Sequence, residues 1–442
     1  MASDSTSLQD SSQNDSIVQR FLKICTVVRE PWVKKWLVNS LGTFEFVTDV
    51  MIKIASEDKE WSEFAIMVDN LSREDLAFKQ KQATVEALAR LFGVIPVGVL
   101  NNKDIDLLFT ALGNWFDADD DRSKVVALEA LSSGFNYYFP QVPLDRTVMI
   151  QKFFKICSCV REPWFKRWLV NALGKYGFVT DVMIELASDE KEWAEFALMV
   201  ENLRREDISL KQKQSTMEAL ACLLGVLVIG DMDNEDMNMI LAEVICWIEK
   251  DDDILKTAAL DALSNGVDIL ASAQVAVLDH AVMLALKATA ENETTGVRCS
   301  GFKCLQSLTE ECYSVVEPHK VAVIEQISSS LKSKDKEVVL GVIDLWNTIS
   351  LETGVTELGM SLLPLLLEVL SGFVRERAIT LRVHRCLLRF ANLSYLTFTT
   401  SVRDYVTQAN EKQKVASVWE AMGELMVELP ELARCCNMIE EG

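Results

Sequence analysis

Apolar and small residues recur at helical spacing through most of the 442-residue chain, each time behind a short polar or acidic segment. In DDDRSKVVALEALSSG, which begins at Asp119, the acids would cap the positive end of a helix, and Val126, Ala130 and Leu131 would form its buried side. The same plan returns in three later segments, which begin at Asp251, Glu291 and Asn410. No segment shows sustained strand alternation bounded by turn residues, so the pattern predicts an all-α protein.

The helix-start signals return at intervals of roughly 40 to 47 residues, the interval of helix-pair repeats. They stand at Glu30, Glu74, Asp120, Glu162, Glu206, Asp252, Glu293, Asp335, Glu376 and Glu411. Partner helices are predicted between them, over residues 44–56, 104–116, 145–159, 176–188, 235–249, 275–290, 316–332 and 355–371. Pro31 and Pro163 suit the first turn of a helix, and Gly134 and Gly266 are predicted stops. We therefore predict about ten antiparallel helix pairs in a right-handed α-solenoid.

The chain also contains a longer duplication, which includes several of these short repeats. QRFLKICTVVREPWVKKWLVNSLG begins at Gln19, and QKFFKICSCVREPWFKRWLVNALG begins 132 residues later, at Gln151. The offset then holds without a gap, so Trp61 matches Trp193. The sequence predicts a disordered polar tail over residues 1–15, a first three-unit block over 16–147, its copy over 148–279, and further helical repeats over 280–442.

Several of these helices resemble the second helix of a HEAT repeat. The match is clearest at Val297-Arg298, followed by Phe302 and Leu305. A further match is formed by Val415, Val418 and Met422. Proteins with such repeats include importins, phosphatase scaffolds, condensin subunits and maestro-related HEAT proteins. The resemblance implies an armadillo-like α-solenoid whose second helices line a concave face that binds a protein partner.

The net charge and the cysteine content indicate which kinds of partner and which cellular compartment to expect. The formal net charge is −22, so direct nucleic-acid binding and attachment to an anionic membrane are both disfavoured. Eleven cysteines are scattered without a disulfide framework, as in proteins of reducing compartments. The chain opens without a signal peptide, and no apolar run is long enough to span a bilayer. We expect a cytoplasmic location, with a nuclear one as the alternative.

The sequence offers no constellation for catalysis. Its three histidines, His280, His319 and His384, fall in different repeats, which cannot easily converge because each repeat contacts only its neighbours. The cysteines lack zinc-site spacing, and the aspartates near Asp119 lack the glycine and glutamate of a calcium loop. Nucleotide and hydrolase signatures are absent. We predict a non-enzyme with no catalytic residue, no metal and no cofactor.

Paired tryptophans mark the same helix in both blocks. Trp32 and Trp36 are four residues apart, as are Trp164 and Trp168, so each pair lies on one helix face. Aromatic stripes of this kind are usually core, and we favour that interpretation. The alternative is that one tryptophan of each pair anchors a bound peptide.

Basic residues are the other candidates for partner binding. The repeated helices carry Lys34, Lys35, Lys166 and Arg167. A denser group follows in Arg375, Arg377, Arg382, Arg385 and Arg389, three of which share one helix face. One interpretation is a docking surface for an acidic or phosphorylated segment; the other is salt bridges to acids on neighbouring helices.

These observations leave three hypotheses of function. The first is a non-catalytic scaffold or adaptor that binds a protein along its concave face. The second is an importin-like transport receptor, whose acidic stretch from Asp231 to Asp261, with ten acids against two bases, would bind basic cargo. The third is a regulatory subunit of an enzyme complex. The sequence leaves the oligomeric state open.

Overall fold

The fold is all-α in the part of the chain that the structure, a computed structural model, describes. That part comprises residues 17–95, 109–113, 115–116, 121–138, 146–227, 234–270, 275–353, 361–373, 375–393, 398, 400–402 and 404–405. Every regular element in these ranges is helical, which confirms the predicted fold class. The chain divides into two compact units, Met1–Met183 and Ile184–Gly442.

Before the duplication restarts, the N-terminal unit contains five labelled helices, two of 9 residues and three of 13, 15 and 18 residues. Residues 17–24 and 109–113 are also helical. The labelled helices are α1 Pro31–Asn39, α2 Phe46–Asp58, α3 Phe64–Ser72, α4 Phe78–Phe92, α5 Asp121–Tyr138, α6 Arg146–Ile156 and α7 Pro163–Ala172. α8, Val179–Glu190, contains the boundary between the two compact units.

The C-terminal unit continues with the longer helices of the later repeats. They are α9 Phe196–Arg204, α10 Leu210–Leu224, α11 Asn234–Glu249, α12 Asp253–Asn265, α13 Val267–Leu270, α14 Val275–Ala288, α15 Thr295–Val316, α16 Lys320–Ser330, α17 Lys336–Thr353, α18 Leu363–Gly372 and α19 Arg377–Leu393. A single 3₁₀ turn, Glu317–His319, joins α15 to α16.

Most predicted helix starts lie within two residues of an observed one. Pro31 and Pro163 open α1 and α7, where a missing backbone N–H costs nothing. The Asp252 carboxylate accepts a hydrogen bond from the Leu255 N–H at 2.9 Å and caps α12. The start at Glu411 and most of the helix predicted over 104–116 lie outside the described residues.

Two short helices escaped the sequence prediction. α3 and α9 end just before the acids Glu74 and Glu206, and the long helices α4 and α10 begin four residues after those acids. In both copies a local Arg–Asp pair occupies the turn, with Arg73 bonded to Asp75 and Arg205 to Asp207. The predicted repeat interval therefore holds here, but Glu74 and Glu206 lie in the turn before each long helix rather than at its start.

The two predicted glycine stops behave differently. Gly266 caps α12, as expected. Gly134 lies inside α5, which continues to Tyr138, so the prediction of a stop there is wrong. A Cβ atom at Gly134 would lie 2.7 Å from the Phe109 ring, so glycine is needed there for close packing.

Second helices of successive repeats form the continuous part of each core. In the N-terminal unit α4 contacts α5; in the C-terminal unit α10, α12, α15, α17 and α19 each contact the next. A row of phenylalanine rings runs through the N-terminal core from Phe92 to Phe109, Phe135 and Phe153, at centroid separations of 6.3, 5.1 and 5.1 Å. Each repeat therefore buries its apolar side against its neighbour.

Candidate functional site

The N-terminal unit carries a group of aromatic side chains that remains accessible to solvent. We call it the N-terminal aromatic surface; it is formed by Phe21, Ile24, Trp32, Trp36, Phe44 and Phe46. Trp32 is 63% exposed, Ile24 80%, Phe44 47% and Trp36 41%. An exposed group of this size is uncommon on a folded protein and often marks a contact surface.

The rings of this surface are arranged rather than scattered. Phe21 lies 6.4 Å from Trp36 in a stacked pair and 5.4 Å from Phe46, measured between ring centroids. Phe44 lies 6.4 Å from Trp36 and 6.0 Å from Phe46. These contacts hold the rings in place before any partner arrives, which lowers the entropy cost of binding.

The same positions of the second copy are covered. Phe153, Trp168, Tyr176 and Phe178 match Phe21, Trp36, Phe44 and Phe46, and all four are buried. The cover is helix α5, whose Phe135 ring lies 5.1 Å from that of Phe153 and 5.9 Å from that of Phe178.

Polar bonds hold α5 in this position. The Lys175 ammonium donates to the Glu129 carboxylate at 2.9 Å, and the Gly177 N–H donates to Asn136 Oδ1 at 3.0 Å. Among the described residues, no helix packs on the first copy in the way that α5 packs on the second. The two copies therefore differ mainly in their neighbour, while three of the four matched rings keep their type and Tyr176 replaces Phe44.

The prediction that the tryptophans are core is half right. Trp168 is buried, as predicted, and Trp164 is half-buried. For Trp32 and Trp36 the prediction is wrong, because nothing described covers their face of α1. The sequence signal that could have found this lies in residues 1–15, whose Ser/Asp/Gln-rich composition cannot supply a helix like α5.

A charged pair anchors the start of α5 to the second copy. The Lys124 ammonium lies 3.2 Å from the Glu162 carboxylate, and it also lies over the Trp164 ring. The Trp164 indole N–H donates to the same carboxylate, and this bond, with Lys124, holds the pKa of Glu162 below its usual range. In the first copy Glu30 occupies the position of Glu162 with the same backbone conformation, and no described side chain bonds to it.

Two of the predicted partner-binding lysines lie in the core. Lys34 and Lys166 are 6% and 7% exposed. The Lys34 ammonium lies 3.5 Å from Asp58 and 5.8 Å from the centroid of the Trp61 ring. This burial corrects the expectation for these two residues, which lie on the inner face of their helices. Their neighbours Lys35 and Arg167 are exposed, and partner binding by them remains a prediction.

Of the five arginines in the predicted cluster, two bond to a neighbouring helix and three are exposed. Arg382 Nε donates to Asp344 Oδ1 at 2.7 Å, and Arg389 Nη1 donates to the Asn347 carbonyl at 2.5 Å and to Ser350 Oγ at 2.9 Å. These bonds tie α19 to α17, as the salt-bridge interpretation predicted. Arg375, Arg377 and Arg385 are exposed, so a docking role is left to these three as a prediction.

The titratable groups that could support catalysis are dispersed. The His280 and His319 rings contact Glu249 at 3.0 Å and Asp279 at 2.7 Å, while His384 Nδ1–H donates to the Thr380 carbonyl. Burial lowers the pKa of His384. In the described ranges no group of three or more His, Cys, Asp or Glu side chains is placed to hold a metal ion.

The cysteines of the described part are free thiols, as predicted. Cys157 and Cys159 are buried, with their Sγ atoms 3.3 Å apart. Burial raises the pKa of Cys304 and of Cys386 to about 12, so neither is a reactive thiolate at neutral pH.

One cavity of about 570 Å³ opens beside α18. Lys332, Lys334 and Glu368 line it together with apolar side chains, and neither histidine nor cysteine is among its lining residues. Its lining also includes Ser333, whose hydroxyl accepts a hydrogen bond from the Asp335 N–H at 3.1 Å.

These features define the class of protein: a helical-repeat protein of the HEAT/ARM-like solenoid class, with an exposed aromatic surface in its described part. None of the described helices is long and apolar enough to cross a membrane.

Comparison with known proteins supports this class at the level of the fold. No family model and no curated protein sequence matches the chain. Among solved structures it is similar to an engineered protein, with a TM-score of 0.50 and 13% identity over 92% of this chain and 98% of that one. It is also similar to yeast importin-beta (Kap95p), with a TM-score of 0.52 and 16% identity over 82% of this chain. That alignment spans 46% of the importin-beta chain, and at such identity the likeness shows the fold alone.

Proposed function

We propose that this protein is a non-catalytic helical-repeat scaffold that binds a protein partner, and that the N-terminal aromatic surface is its main contact. The observation that carries the proposal is the exposure of Trp36 and Phe44 at positions where the second copy is buried, and of Trp32 where the second copy is half-buried. In the second copy these positions pack against a helix. The matching exposed face of the first copy therefore has the composition of an interface.

The chemistry of the surface suits protein binding. Tryptophan is enriched among the residues that carry most of the binding energy at interfaces, and its truncation there costs about 2 kcal/mol or more. Phe21 and Phe46 hold the exposed rings in position. The exposed Lys35 and Arg167 of the N-terminal unit and, separately, Arg375, Arg377 and Arg385 of the C-terminal unit are proposed as secondary contacts.

We further propose that the scaffold acts in the cytoplasm or the nucleus. All nine cysteines in the described ranges are free, which fits a reducing compartment. The importin-like and maestro-related alternatives and the regulatory-subunit alternative have no observation of their own on this chain, because the likeness to importin-beta concerns the fold.

The proposal is tested by site-specific photocross-linking in the full-length chain. A photoreactive phenylalanine analogue is placed at Trp32 and, in a matched control, at Trp164. We expect a cross-linked partner protein from position 32 and none from position 164. Equal capture at both positions, or capture that persists in a Trp36→Ala/Phe44→Ala chain, would remove the aromatic surface from the proposal.

A further inference from the structure

The second copy shows what kind of occupant the N-terminal aromatic surface fits. We infer that this surface, if the proposed function holds, receives one amphipathic helix of a partner protein. That helix presents a lysine in its first turn to Glu30 and a phenylalanine about three turns later to Phe21 and Phe46.

The template for this helix is α5. Lys124 lies at its fourth position and Phe135 eleven residues further on, so both side chains lie on the face turned to the second copy. The apolar residues between them, Ala127, Leu128 and Leu131, are fully buried. A partner helix of the same design meets the first copy through the same three features.

A repeated lysine–glutamate pair supports the inference that the incoming helix carries a lysine in its first turn. At three junctions between successive second helices, a lysine near the start of one helix bonds to a glutamate just before the next. The pairs are Lys124 with Glu162, Lys256 with Glu293 at 3.2 Å, and Lys336 with Glu376. Glu30 stands just before α1 in the same position, and the described residues offer it no lysine. The missing member of the fourth pair is therefore a cation on the incoming helix.

The aromatic pair that would receive the phenylalanine is already formed. Phe21 and Phe46 lie 5.4 Å apart, against 5.2 Å for Phe153 and Phe178 around Phe135. The matching separation shows that the receiving site does not depend on the presence of α5. It is preorganised in the first copy, which favours a helix with an aromatic anchor over a purely aliphatic one.

Two differences between the copies bear on specificity. Thr43 replaces Lys175, so the partner helix has no lysine to pair with an acid at the position of Glu129. Glu45 replaces Gly177, so the position of Asn136 would face a carboxylate and favours a basic or amide side chain. The occupant is therefore expected to be more basic than α5.

The chain's own N-terminal residues do not meet these requirements. Residues 1–16 contain no aromatic residue and no lysine or arginine. Residues 1–16 therefore cannot supply either anchor.

The experiment uses the full-length chain and a labelled peptide with the sequence of residues 119–138 as the probe. The peptide cannot enter the second copy, because the chain's own α5 is tethered there at high effective concentration. We expect saturable binding in fluorescence anisotropy, weakened about tenfold or more by Trp32→Ala in the chain or by Phe135→Ala in the peptide. Phe78→Ala, which removes an exposed ring of α4, is the matched control and leaves the affinity unchanged.

A charge exchange tests the orientation. Glu30→Lys weakens the peptide by roughly twofold to fivefold, and a peptide with Lys124→Glu restores the affinity of that variant only. Failure of the peptide to bind, or indifference to both Phe135→Ala and the charge exchange, overturns the helix proposal. If position 32 still cross-links a partner, the scaffold proposal stands while the helix proposal fails.

Two further outcomes would also overturn it. Concentration-dependent self-association that Trp32→Ala abolishes, measured by sedimentation velocity, would identify the occupant as a second copy of the chain. Sedimentation with phosphatidylserine vesicles that depends on Trp32 would identify the surface as lipid-binding.

Discussion

Phe21 and Phe153 occupy the same position of two copies of one sequence, yet one is half-exposed and the other is fully buried. A neighbouring ring lies at nearly the same distance in both copies. Phe21 is 5.4 Å from Phe46 and Phe153 is 5.2 Å from Phe178, measured between ring centroids. What differs is α5, which lies on the second copy and has no described counterpart on the first. In a repeat protein, then, the environment of a residue is set by its neighbouring repeat as much as by its own.

The largest effect expected from this comparison is on stability. Phe153→Ala removes a ring that contacts four other aromatic side chains and should cost about 3 to 5 kcal/mol of unfolding free energy. Phe21→Ala, at the half-exposed position, should cost about 1 kcal/mol. Urea unfolding followed by circular dichroism measures both. Equal losses would show that the first copy is covered as fully as the second.

Glycine packing provides the second test. Gly134→Ala places a methyl group 2.7 Å from the Phe109 ring and should destabilise the protein by about 1 to 3 kcal/mol. Gly266→Ala meets Leu224 Cδ1 at 3.0 Å, Leu224 Cβ at 3.1 Å and the Ala262 carbonyl oxygen at 3.3 Å, all longer than the contact at Gly134, so it should cost less than Gly134→Ala. The midpoints of thermal unfolding rank the two. A stabilising Gly134→Ala would mean that helix propensity outweighs packing at this junction.

The junction pair gives a smaller, pH-dependent effect. The pKa of Glu162 is lowered in the folded protein by the Trp164 indole and by Lys124, so its contribution to stability is present above the unfolded pKa and is lost as pH falls through the folded one. Lys124→Met should therefore cost less than about 1 kcal/mol at pH 7 and still less at pH 3. Glu30→Gln, without a described cation beside it, is the control and should change stability by no more than about 0.5 kcal/mol at either pH.

The smallest effect is spectroscopic. Trp32→Phe should reduce the fraction of tryptophan fluorescence that acrylamide quenches readily, because Trp32 is the more exposed member of its pair. Trp164→Phe should change this fraction less, since the ring is half-buried beneath Lys124. A larger change for Trp164 than for Trp32 would contradict the assignment of the open face to the first copy.

Much of the architecture could be predicted because helix starts are local signals. Asp252 and Asp335 accept hydrogen bonds from backbone N–H groups at the starts of α12 and α17, and Pro31 and Pro163 occupy the first turns of α1 and α7. The lysines near those starts could not be assigned in the same way. Lys34 and Lys35 are adjacent in sequence, and only the helix phase decides that one meets Asp58 while the other faces solvent.

The candidate site was harder to predict because it depends on what is next to it. The tryptophan pairs look identical in the two blocks, and periodicity alone places all four in the core. Exposure of Trp32 follows only when the covering helix of each copy is sought separately. The same holds for Arg382 and Arg389, which share a helix face with Arg385 but are bonded to α17.

The lysine–glutamate junction also has a consequence for how such a protein grows. Because the same joint closes the end of both 132-residue blocks, another gene duplication of the block would seal the face it is added to and open an identical face on itself. The number of exposed aromatic surfaces would stay at one while the repeat array became longer. A lineage could therefore lengthen or shorten the array without gaining or losing a docking end.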